Sequence, residues 1–129
     1  MKSLPSAVLA AIAFLVITVS PASAAASHRI ASCHAHGTAA ACIVRGTAVH
    51  PRTIYVHVTS AHRQRVLVRW HMTCSKGTSV RRSHGHFRAR TPIRHLLHHP
   101  FRHPGSCVVT ARTRLPGAGR LHLWLTTRR

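Results

Sequence analysis

The stretch Gln64 to Cys74, QRVLVRWHMTC, decides the fold. Val66, Val68, Trp70, Met72 and Cys74 fall on one side of an extended chain, and Arg65, Leu67, Arg69, His71 and Thr73 on the other. Side chains of a strand point alternately to its two faces, so this is a half-buried strand with a tryptophan at its middle and a cysteine at its end. A helix would scatter the same residues around its surface, and the β-branched and aromatic content also favours a sheet.

The same alternation recurs on both sides. Ile54, Val56 and Val58 oppose Tyr55, His57 and Thr59; further on, Cys107, Val109, Ala111, Thr113 and Leu115 oppose Val108, Thr110, Arg112 and Arg114. Leu121, Leu123 and Leu125 alternate with His122, Trp124 and Thr126 after the turn Pro116-Gly117-Ala118-Gly119. Cys42 to Val49 begins regular structure, with Gly46 as a bulge or bend, and His50-Pro51 ends it because proline lacks the ladder donor. Phe87 and Ala89, set against Arg88 and Arg90, make a short strand that stops near Thr91-Pro92. Three segments read as non-strand: residues 27–41 as an irregular or edge segment, Arg81 to His86 as a basic loop, and His95 to His103 as a covered loop. Ile93, Leu96 and Leu97 suggest one helical turn over the end of the core, which Pro100 and Pro104 keep from extending.

Six strand-like runs with short turns and no long helix predict an all-β domain over residues 42–127, a small antiparallel β-sandwich; a small β-barrel is the alternative. Its core would hold Val66, Val68, Trp70, Ile54, Val56, Val109 and Leu123. A buried Trp on a central strand near an inter-sheet disulfide resembles immunoglobulin-like domains. Trp70 and Cys74 share one strand here, unlike the antibody pattern, so only the architecture carries over.

The first residues set the expected compartment. Lys2 gives a positive start, Val8 to Val19 is almost wholly apolar, and Pro21-Ala22-Ser23-Ala24-Ala25-Ala26 supplies small residues for cleavage after Ala24 or Ala26. This is the pattern of a secretory signal peptide over residues 1–26, too short in its apolar run for the ~20 residues of a span. No integral membrane segment is expected after cleavage. Cys33, Cys42, Cys74 and Cys107 all follow it, an even count that in a small exported chain predicts two disulfides. The favoured pairing joins Cys33 to Cys42 across a small N-terminal loop and Cys74 to Cys107 between two well-separated strands.

The leader together with CIVRGTAVHPRTIYVHVTS, RVLVRWHMTCSKG, GHFRARTP, SCVVTA and LPGAGRLHLWL resembles small secreted proteins of actinobacteria, over nearly the whole mature chain. The resemblance lies in turns, alternating strands and cysteines. It implies an exported structural domain and carries no catalytic residue.

The charge balance narrows the chemistry. There are nineteen Lys and Arg, seventeen of them Arg, no Asp or Glu, and fourteen His that add charge below about pH 6.5. With no side-chain carboxylate, paired-carboxylate hydrolysis, carboxylate calcium cages and a Ser-His-Asp triad are all excluded. The sequence also lacks Asn, which removes Cys-His-Asn chemistry and N-glycosylation. No enzymatic role and no cofactor are expected. His95, His98, His99 and His103 are weak candidates for Zn, Cu or Ni; the preferred reading is a solvated His-rich loop, since a closed site needs converging ligands and a second shell.

Binding of polyanions has the better physical basis. Arg63, Arg65 and Arg69 face out of the central strand, Arg88 and Arg90 out of the short one, and Arg112 and Arg114 out of the next. Arg120 shares the outward side of the last strand with Trp124, which either stacks on a ligand or seals a small cluster of its own. Arg forks suit phosphate and sulfate oxygens. The expected role is a secreted or cell-surface structural or binding domain, adhering without sequence preference to anionic wall polymer, anionic lipid or nucleic acid. The alternative is a cationic antimicrobial or membrane-active effector.

Overall fold

A computed structural model describes Ser3 and residues 28–60, 64–90 and 92–128. Ser3 apart, the expected leader over residues 1–26 lies outside them, as does Arg63.

Eight strands follow in order: β1 (His28–Thr38), β2 (Ala41–Val49), β3 (Thr53–Ser60), β4 (Val66–Lys76), β5 (Ser79–Ala89), β6 (Ile93–Leu97), β7 (Ser106–Arg114) and β8 (Ala118–Arg128). They form two four-stranded antiparallel sheets, β1-β8-β3-β6 and β2-β7-β4-β5. The expected all-β sandwich is what the chain forms, with both disulfides paired as read.

The strand order is not that of an immunoglobulin domain. β1 pairs with β8, β2 with β7, β3 with β6 and β4 with β5, as if one long two-stranded ribbon closed at the β4–β5 turn were rolled up. The further pairs β3–β8 and β4–β7 close the roll. Eight strands in this nested order make a jelly roll. Gly77, with φ of 60°, opens the two-residue β4–β5 turn, a position that needs positive φ.

The core lies between the inner faces. Ile54, Val56, Val66, Val68, Val109 and Leu123 are fully enclosed, as the alternation requires. Each such side chain contributes roughly 1.5–3 kcal/mol by leaving water. Trp70 is only partly buried and packs against this cluster. A Cβ at Gly85, its β5 neighbour, would lie 2.8 Å from the Trp70 ring, so the indole occupies space that only glycine leaves. Cys33–Cys42 joins β1 of one sheet to β2 of the other, and so is the inter-sheet bridge. Cys74–Cys107 instead links directly opposed residues of neighbouring strands β4 and β7, correcting the picture of two well-separated strands. It closes the longer loop, 33 residues against 9, for a chain-entropy gain of about 4 against about 2.5 kcal/mol.

Three readings of the sequence are corrected. Residues 28–38 are the edge strand β1, as one half of the irregular-or-edge reading has it, ordered rather than irregular apart from a register shift between Arg29 and Ala31; beyond Ile30 at that shift, its core-facing residues Ala31, Cys33 and Ala35 are too small to mark the core side. Arg81 to His86 belongs to β5, whose inward positions Arg81, Ser83 and Gly85 run past the edge of the core. Ile93 to Leu97 is a strand paired with β3 rather than a helical turn, and only Leu97 of it is enclosed. Each is an edge strand, where alternation of apolar and polar residues is weakest.

Candidate functional site

The outward side chains of the two sheets form two chemically distinct faces. On β2-β7-β4-β5, four residues line up across the strands as Ile43, Arg112, Arg69 and His86. The next row is Arg45, Thr110, His71 and His84, and the row beyond it ends in Arg82. Arg69, Arg88, Arg112 and Arg114 lie exposed at outward positions of these strands, and Arg65 and Arg90, just beyond the ends of β4 and β5, are exposed as well. Arg69 and Arg112 are directly opposite one another on adjacent strands. Like charges so placed repel and cost roughly 0.2–1 kcal/mol, and no acidic side chain exists anywhere in the sequence to offset them. Two shallow depressions of about 490 and 440 Å³ flank this pair and share both guanidinium-bearing side chains. Arg45, Arg82, His71, His84 and His86 join the face without having been singled out from sequence. Arg45 and His71 follow from the alternation of β2 and β4; Arg82, His84 and His86 were hidden because Arg81 to His86 read as a loop.

Arg120 and Trp124 belong to the opposite face, on β8, so the outward cations do not form one patch. Here aromatic rings dominate. His34 of β1 stacks on His122 of β8 at 3.7 Å between centroids, His122 on Trp124 at 4.1 Å, and Trp124 on His57 of β3 at 4.8 Å. The planes diverge by only 9–21°. Tyr55 continues the row, tilted, 6.3 Å from His57. Arg29 lies 5.7 Å over Trp124 and Arg94 4.7 Å over Tyr55, both within cation–π range. Trp124 thus seals a cluster of its own. His57 Nε2 is 2.7 Å from the Thr126 hydroxyl, while His122 Nε2 is enclosed without a hydrogen-bond partner.

These surroundings disfavour imidazolium. Burial lowers the pKa of His57, and the nearby charges of Arg94 and Arg29 and then His122 lower it further. Burial likewise lowers that of His122, followed by His34 and Arg29.

The four metal candidates are not brought together. His95 sits in β6, stacked at 4.1 Å on Phe87 of the facing sheet, and burial, then His98, lowers its pKa. The ring nitrogens of His99 face backbone carbonyls, Nδ1 that of Phe101 and Nε2 that of Arg52 at 3.3 Å, and a neutral ring donates to one of the two. His98 and His103 are exposed beyond the strand. Among the described residues no group of three or more His, Cys, Asp or Glu is placed to hold a metal ion. Nor is any described helix long and apolar enough to cross a membrane, which says nothing of strands.

Fold and faces together define the class: a disulfide-bonded jelly-roll sandwich with one cationic and one aromatic outer face. No protein-family model, curated protein or solved structure matches the chain.

Proposed function

We propose that the chain is an exported, non-enzymatic adhesion domain that binds polyanions without sequence preference through the outer face of β2-β7-β4-β5. The observation that carries this reading is the directly opposed pair Arg69 and Arg112 among further exposed arginines. A sheet that holds cations against one another lowers its own stability and gains attraction for a chain of phosphates, sulfates or carboxylates. Anionic wall polymer, anionic lipid and nucleic acid share that chemistry. Export is supported by the leader pattern and by two disulfides, which persist in oxidising compartments.

The test is retention on immobilised heparin and on duplex DNA across a salt series starting at about 50 mM, where screening is weak. Retention that falls steeply with salt on both matrices is expected. Passage through both at the lowest salt removes the proposal.

A second reading, a membrane-active effector, is favoured by Ile43 and Val49 on the same side of edge strand β2, 68% and 51% exposed, with Arg45 between them. Such a pair could enter an anionic lipid surface beside the arginines. Leakage confined to anionic vesicles supports this reading, and retention without leakage supports adhesion alone.

A further inference from the structure

A stack of rings covers its own faces, so a further ring can add only at an end. Trp124 is already engaged by His122, His57 and Arg29. His34 is the exposed end of the row, stacked on His122 alone. Beside it a shallow depression of about 630 Å³ is lined by His34, His36, Thr59, Ser60, Arg120 and His122. That volume lies within the range of small-molecule sites. It combines an aromatic ring, an exposed guanidinium on β8, and the outward Thr59 of β3. No side-chain carboxylate exists in the sequence to compete for Arg120.

We propose that this depression binds a nucleoside phosphate, its base extending the stack on His34 and its phosphate paired with Arg120. Thr59, outward on β3, offers its hydroxyl to the ribose or phosphate oxygens. Planar bases stack on aromatic side chains with little regard to identity, and Arg pairs with phosphate through its fork. The site is separate from the cationic face and does not rest on the adhesion reading.

Calorimetry with adenosine monophosphate, adenosine and ribose 5-phosphate tests it. Adenosine monophosphate is expected to bind at one site per chain, roughly tenfold or more tighter than ribose 5-phosphate, the difference being one stacked base. His34→Ala should reduce the nucleotide to the level of ribose 5-phosphate, and His34→Phe should restore it. Arg120→Gln should reduce it to the level of adenosine. None of these variants should alter heparin retention, and near-UV circular dichroism reports that each keeps the fold. Equal binding of nucleotide and ribose 5-phosphate, or nucleotide binding untouched by His34→Ala, overturns the proposal. So does loss of nucleotide binding in Arg69→Gln/Arg112→Gln, which would place the ligand on the other face.

Discussion

The two outer faces obey one rule and reach opposite ends. On β2-β7-β4-β5 the outward positions hold arginines that oppose each other across strands. On β1-β8-β3-β6 the equivalent positions hold His34, His122, Trp124, His57 and Tyr55, and the cations Arg29 and Arg94 lie against rings. Alternation alone decides that these side chains face outward. What they do there depends on their cross-strand neighbours. One face sets its cations against each other; the other sets rings against rings and under Arg29 and Arg94, though Arg120 stays exposed and His122 Nε2 unpartnered there. The first arrangement lowers stability, while the second adds cohesion to the sheet.

The largest effect on that contrast should come from Trp124→Ala. It removes the ring at the centre of the stack, including two stacked pairs worth about 0.5–1.5 kcal/mol each beyond their buried area. Chemical denaturation is expected to show a loss of roughly 2–3 kcal/mol, with heparin retention unchanged. Loss of retention in the folded variant would mean that the aromatic face shares in polyanion binding.

Acid should separate the faces next. His57 and His122 have folded-state pKa values below the unfolded one, so the unfolded chain binds more protons as pH falls through about 6.5. Their contribution is therefore present above that pH and is lost below it, towards the lowered folded values. The charged groups around them, Arg29, Arg94 and His34, offer no compensation. The melting temperature should fall between pH 7.5 and 5.5, and His57→Gln should flatten the dependence. Heparin retention should not fall with it while the protein stays folded, because His57 and His122 lie on the opposite face from the arginines. A flat melting profile would show that the stack tolerates imidazolium.

The smallest expected effect has an unusual sign. Arg69→Gln/Arg112→Gln should raise stability at low salt, by about 0.2–1 kcal/mol, because it removes a like-charge pair. Added salt should stabilise the wild-type protein more than the variant, by about the same amount. A destabilised variant would mean that the arginine stems contribute more by covering the sheet than their charges cost.

The central strands were legible because each has one side in the core. Val66, Val68, Met72 and Cys74 could only be one face of a sheet, and the outward set Arg65 and Arg69 follows from them. The edges were not legible. Inward positions of β1 and β5 hold Ala31, Ala35, Ser83 and Gly85, residues that carry no periodic signal because little core lies beneath them. The Gly85 space beneath Trp70 is invisible without the β4–β5 register. Nor does any local pattern fix the nested pairing of β1 with β8 and β2 with β7, which depends on contacts across most of the chain. For the same reason Arg120 and Trp124 could be read as outward, yet not as lying on the opposite side from Arg69.

Position, rather than total charge, is the claim most open to a direct test. The salt dependence of DNA binding should be compared for two variants that each lose two charges, Arg69→Gln/Arg112→Gln and Arg29→Gln/Arg94→Gln. Each phosphate contact contributes about 0.9 to the slope of log affinity against log salt. The first variant should lower that slope by nearly 2 and the second should leave it close to the wild-type value. Equal slopes in the two variants would contradict the account, because binding would then follow net charge and no face of the sandwich would be the site.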